Sequence, residues 1–211
     1  MPPMVGAPAD AAEEIWKRLD ESELRAALQS HGRFLTRKPG GQRALLAFFD
    51  LSGRDLSQLD LSDADLTGVN LEAAAARQTR FRLTTLFAAN LRRAMLDGAD
   101  LSRADLRGAS LRGASLNGAK LADADLREAT IARYDKRLRL LPGSFADPHT
   151  DLTGAQARGA DLSNAKAIGA YVLQTDFSDA VLRGANFRGA DLRNANFTGA
   201  NLEDADLTES K

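Results

Sequence analysis

Large apolar residues recur at every fifth position through most of this chain: Leu51, Leu56, Leu61, Leu66 and Leu71, then onward to Leu121, Leu126 and Ile131. After a break the rhythm resumes one register later, at Leu152, Leu162, Val172, Phe177, Leu182, Phe187, Leu192, Phe197, Leu202 and Leu207. Neither simple element accommodates a period of five. On an α-helix five residues advance by about 500°, so the leucines would drift around the whole cylinder. On a straight strand, positions i and i+5 point to opposite faces. The pattern is satisfied when the chain turns a corner every five residues, so that each large residue again points inward.

The neighbours of each centre support this. Two residues before it stands alanine in 21 of the 29 units centred on 51–131 and 152–207, which places a small residue on the same inward side of a short extended segment. Large and small inward residues can then interlock around a narrow axis. Two residues after the centre stands glycine in 12 units and Asp or Asn in six more, residues that tolerate turn geometry or bond back to the backbone, so this position is read as the corner. The remaining Asp, Asn, Ser, Thr and Arg should face water.

Stretches such as Ala99-Asp-Leu-Ser-Arg, Ala104-Asp-Leu-Arg-Gly, Ala160-Asp-Leu-Ser-Asn and Ala200-Asn-Leu-Glu-Asp resemble the A(D/N)LXX unit of the pentapeptide-repeat family, over 145 of 211 residues. The resemblance implies an all-β solenoid, a right-handed quadrilateral β-helix with four units per coil. About seven coils at roughly 4.8 Å per layer would make a rod about 35 Å long.

The organisation then reads in four parts. Residues 1–48 form a disordered start and a helical N-terminal cap, with helix expected over residues 10–36 from the apolar spacing of Ile15, Leu19, Leu24, Leu28, His31 and Leu35. Within it, Asp20 and Glu23 have the spacing of a capping box. Residues 49–131 are the first repeat tract, and Phe49, Arg54 and Leu59 replace its small inward residue where a coil would meet a cap. Residues 132–151 are an irregular break, either a distorted coil or an extruded loop, and 152–211 are the second tract. The centres Ala76, Ala157 and Ala167 are small enough to leave cavities or be filled by neighbours.

Composition narrows function. There is no cysteine, so no disulfide or thiolate metal site, and no apolar run approaches the ~18 residues of a membrane span. The first residues lack the pattern of a secretion signal, and a cytoplasmic location is expected. The two histidines, His31 and His149, stand in unrelated contexts, and no serine has an evident base, so no catalytic constellation is read. The pairs Asp63/Asp65, Asp123/Asp125 and Asp204/Asp206 follow from the repeat grammar, and neither metal nor cofactor is expected.

A non-enzymatic protein-binding or scaffold solenoid is the leading reading. Expected contacts are the basic, aromatic part of the break (Arg133, Tyr134, Lys136, Arg137, Arg139) and two outward apolar pairs, Leu83 with Phe87 and Ile168 with Tyr171. A homodimer through the C-terminal coil is also expected. The family resemblance implies an alternative, a DNA-mimicking modulator of DNA gyrase or topoisomerase IV. Against it, residues 51–211 hold 21 Lys/Arg and 22 Asp/Glu, where a mimic needs a continuous negative face. A ligand-binding or enzymatic pocket in the helices or the break is the remaining reading.

Overall fold

In the computed structural model, residues 16–129 and 148–211 are described. Their backbone forms four parallel ladders in which each rung pairs with the residue twenty positions on: Leu45 with Asp65, Asp50 with Asn70, Asp55 with Ala75, Asp60 with Arg80, and so on. Four pentads therefore complete one coil. Eight rungs stack on the first side, from Leu45 to Asp206. The ladder begins one unit before the first centre of the sequence rhythm: Ala44 and Leu46 already fill the small and large inward positions, and Leu46 donates to the Asp65 carbonyl at 2.8 Å.

Every described corner from Phe48 to Glu209 has a φ between 53° and 72°, with the sole exception of Glu128. This left-handed backbone makes the five-residue turn possible and explains the glycine, Asp and Asn at that position. Glycine is further required at Gly68, where an added Cβ would lie 2.7 Å from the Phe48 ring. The Asp or Asn before each centre, expected only to face water, has a local task. Its Oδ1 accepts the N–H two residues on, as in Asp55 to Ser57 (2.9 Å), Asp151 to Thr153 (2.9 Å) and Asp206 to Thr208 (3.0 Å). Each such turn satisfies an amide at the bend.

Inside, the centres and the alanines beside them form one continuous buried core. Threonine sometimes replaces the inward alanine, and its hydroxyl is then satisfied by a carbonyl of the preceding coil: Thr79 to Leu56 and Thr84 to Leu61, both 2.7 Å, and Thr175 to Leu152, 2.8 Å. The small centres Ala76, Ala157 and Ala167 are buried beside large ones. Phe177 and Phe187 stand one coil above Ala157 and Ala167 on the same sides, and Phe81 follows Ala76 on the next side of its own coil. Volume is thus conserved across neighbouring units.

Helix α1, Glu21–Leu35, closes the first coil. Asp20 is its N-cap, and the capping box is complete: Asp20 accepts the Glu23 N–H at 2.8 Å, while Glu23 accepts the Asp20 N–H at 2.9 Å. Leu24, with Ala27 and Leu28, packs against the core of the first coil. The helical expectation over residues 10–36 is corrected at residues 16–20, while residues 10–15 lie outside the described residues. Residues 16–20 are not helical; Lys17–Arg18 form strand β1, parallel to strand β2, Phe49–Asp50. The physical reason is the open edge of the first coil, whose second-side amides and carbonyls need partners. Arg54, at an inward position, reaches Glu21 at 2.6 Å and the Leu19 carbonyl at 3.0 Å.

The break is crossed without a layer of its own. Ser110 pairs with Asp151, Ser115 with Gln156, Lys120 with Asp161 and Asp125 with Lys166, each 41 residues apart. Asp151 thus sits where residue 130 would sit in a regular coil. Thr150 takes the inward position, accepting the Gly108 N–H at 2.9 Å and donating to the Leu106 carbonyl at 3.0 Å. Ala129 is displaced outward, against Gly108.

Candidate interaction surfaces

Each side of the rod presents a column of rungs and, beside it, a column of residues that follow the centres. On the first side Asp105 and Asp125 stack as rungs, with Arg107 and Arg127 alongside. Arg107 binds Asp105 through two nitrogens (2.8 and 2.7 Å) and lies 3.8 Å from Asp125, while Arg127 grips Asp125 at 2.9 and 2.7 Å. Burial alone would raise the Asp125 carboxyl, but the Arg127 bonds and the two arginine charges hold it below the usual carboxylate range.

On the fourth side the sign alternates from rung to rung: Asp60, Arg80, Asp100, Lys120, Asp161. Arg80 meets Asp60 at 3.5 Å, and Arg82 meets Asp100 at 3.6 Å. On the second side Asn90 donates to Asn70 (2.8 Å) and Asn70 to Asp50 (2.9 Å), a ladder of side-chain amides parallel to the backbone one. On the third side Asp97 accepts from the Ser115 hydroxyl and from the backbone and side chain of Asn117. Among the described residues these faces are mixed in charge, and their acids bond within their own turn or to neighbours one coil away. Such exposed pairs set register and solubility more than stability.

The apolar candidates divide. Leu83 is 44% exposed and occupies a corner with φ 57°, a conformation that is costly for leucine. Phe87 corrects the sequence reading: it is 2% exposed and belongs to a second apolar cluster with Phe48, Ala88 and Ala129, against which Trp16 packs. The Arg107 guanidinium lies 5.4 Å from its ring centroid. The repeat grammar points this position outward, but the groups that cover it come from distant parts of the sequence. Leu83 and Phe87 therefore do not form a shared patch. Ile168 is 39% exposed; Tyr171 is half-buried and stacks on His149 with ring centroids 4.6 Å apart. Arg133, Tyr134, Lys136, Arg137 and Arg139 lie outside the described residues.

Two hollows adjoin these features. One of about 390 Å³ is lined by Arg107, Arg127, Glu128, Ile168 and Gly169, beside the point where the chain leaves the ladder. The other, about 340 Å³, lies between α1 and the first coil, with Leu24, Leu28 and Leu59 as its apolar lining and Glu21, Arg25, Arg54 and Asp55 as its charged lining. Neither contains a nucleophile with an adjacent base. No helix among the described residues is long and apolar enough to cross a membrane.

The family model for pentapeptide repeats matches eight copies, in segments that together span residues 44–131 and 149–211. The chain belongs to the pentapeptide-repeat family. No curated protein sequence matches it. Among solved pentapeptide-repeat structures, it is similar to HetL of the cyanobacterium Nostoc, a protein involved in heterocyst differentiation regulation. That likeness has 27% identity over 79% of this chain and 82% of HetL, with a TM-score of 0.45. A pentapeptide-repeat protein of the Arabidopsis thaliana thylakoid lumen shares 27% identity over 68% of this chain and 71% of that one, with a TM-score of 0.41. Full-length QnrB1, a plasmid-mediated fluoroquinolone resistance protein, shares 22% identity over 77% and 90% of the two chains, with a TM-score of 0.30. The matched segments leave out residues 132–148, so the family pattern and the ladder are interrupted at the same place.

A test of the Leu83 corner follows from its geometry. Leu83→Gly relieves the left-handed strain and is expected to raise stability by roughly 1 kcal/mol. If Leu83 also contacts a partner, the same variant binds more weakly. A thermal melt that shows destabilisation instead would mean that Leu83 is held by packing.

Proposed function

We propose that this pentapeptide-repeat protein is a non-enzymatic, protein-binding scaffold. In this reading it is a right-handed quadrilateral β-helix capped by α1, and it carries its binding segment at mid-length. The observation that supports this is the direct rung from Ser110 to Asp151. Because the ladder closes without them, the intervening residues are not needed to complete it and can serve a partner. They include Arg133, Tyr134, Lys136, Arg137 and Arg139, a cationic and aromatic set suited to an acidic protein surface. Ile168 and Tyr171, beside the point of re-entry, extend the same contact. Self-association through the last coil belongs to the proposal as well. Leu192, Phe197 and Leu202 are only partly covered there and Leu207 is 37% exposed. Light scattering that finds a strict monomer at high concentration would remove that part.

The test is a pull-down from native lysate with the full chain and with a variant lacking residues 129–149. A specific protein captured by the full chain and lost with the deletion supports the reading. Equal capture by both forms moves the site to the rod faces, and no capture by either overturns the proposal. The alternative, modulation of DNA gyrase or topoisomerase IV by DNA mimicry, is opposed by the alternating charges of the fourth side and the arginines beside Asp105 and Asp125. Unchanged gyrase supercoiling in a large excess of the protein would dispose of it.

A further inference from the structure

His31 is fully buried where α1 meets the rod. Its Nδ1 accepts the backbone N–H of Ala44 at 3.1 Å, at the entry to the first coil. The ring is therefore neutral, with its proton on Nε2. One face stacks on Phe34, with centroids 5.7 Å apart. A second proton would have to go to Nδ1. It would remove the acceptor that holds Ala44, leave that buried amide unsatisfied, and place a charge in a buried seam.

That seam covers one end of the solenoid core. Leu46, Leu51, Leu56 and Leu61, the centres of the first coil, are fully buried although among the described residues no coil lies beneath them. Their counterparts in the last described coil, Leu192, Phe197 and Leu202, are only partly buried. Among the described residues, α1 and β1 are what lie against the first coil.

We propose that α1 is an acid-released plug: protonation of His31 lifts the helix from the first coil and uncovers the apolar end of the rod. The groups that face the imidazole act in both directions. Burial pushes its pKa below the ordinary 6.5, and Arg43 acts the same way; Asp60, Asp63 and the Ser62 backbone oppose them. Because the docked ring has the lower pKa, the released state takes up more protons. Docking is therefore favoured above pH 6.5 and is progressively lost as pH falls below it. Each pH unit in that window raises the released population by up to about tenfold. The ladder itself persists there, because the carboxylates of Asp55, Asp60, Asp125, Asp176, Asp191 and Asp206 are held below their usual values by turn hydrogen bonds and arginines.

The experiment is a titration of the full chain from pH 7.5 to 5 with an apolar dye, alongside emission from Trp16, the single tryptophan, whose Nε1 donates to the Gly68 carbonyl. Dye fluorescence rises several-fold below pH 6.5 while far-UV circular dichroism stays constant, and His31→Gln abolishes the rise. A flat wild-type titration, or one unchanged in His31→Gln, overturns the proposal. Should His31→Gln fail to fold, the double variant Asp60→Asn, Asp63→Asn retains the histidine but removes the carboxylates that favour its charge. With the docked ring harder still to protonate, this variant releases at least as fully at pH 5 as the wild type; a weaker dye rise overturns the proposal equally.

Discussion

Phe177→Ala destabilises the rod by about 3–5 kcal/mol, the range for truncating a fully buried phenylalanine in a core that relaxes little. The relaxation is limited because Phe177 is shared by three coils. It stands over Ala157, stacks on Phe197 at 5.6 Å, and meets Phe187 edge-on at 6.0 Å. Removing the ring leaves a void beside a centre that is already small, and the fixed rung spacing keeps adjacent coils from closing over it. Chemical denaturation reads the effect. The compensating change Ala157→Leu, introduced with Phe177→Ala, returns volume to the same side one coil below and recovers part of the loss. A single-variant cost under about 1 kcal/mol would show that the aromatic column does not act as a packed unit.

The second large effect distinguishes two deletions that differ by one residue. Removing residues 129–149 joins Glu128 to Thr150 and turns the 41-residue spacing of Ser110 and Asp151 into the regular twenty. Thr150 keeps its inward bonds to Leu106 and Gly108. The Ala129 contact with Gly108 and the His149 stack on Tyr171 are lost, so the melting temperature stays within about 3 °C of wild type, a change on the order of 1 kcal/mol. Removing residues 128–149 leaves the coil one residue short. An extra residue can bulge outward, but a missing one must pull a corner or a centre out of place. This variant melts far below the first, and equal melting temperatures would refute the assignment of Asp151 to the position of residue 130.

Much of this architecture was legible because its rules are periodic. The position two after each centre was read as a corner, and its φ is positive at every described unit but Glu128, where the chain departs from the rod. The capping box at Asp20 and Glu23 was equally readable, since both bonds form within one turn of helix. What escaped has no period. Lys17–Arg18 form a strand of two residues, too short for any alternation to appear, and their pairing is set by an edge made some thirty residues later. Phe87 occupies a position that is outward by grammar and buried by circumstance, because Trp16, Phe48 and Ala129 converge on it from remote parts of the chain. The carboxylates before the centres were read as solvated because a polar residue there needs no further reason; their turn-closing bonds depend on backbone geometry that composition does not carry. Of the contact candidates, Leu83 and Ile168 could be placed on the surface from the repeat alone, whereas the stacking of Tyr171 depends on where the chain re-enters the ladder.

The uniform rung spacing also fixes how the molecule yields to force. A coil is bonded only to the coil before and the coil after it, so a rod pulled from its ends peels one layer at a time. Each ordinary layer releases about 70 Å of extended chain, while the layer that contains the 41-residue spacing releases about 140 Å. A single long step among short ones would mark, along the pulling trace, where the scaffold carries its extra segment.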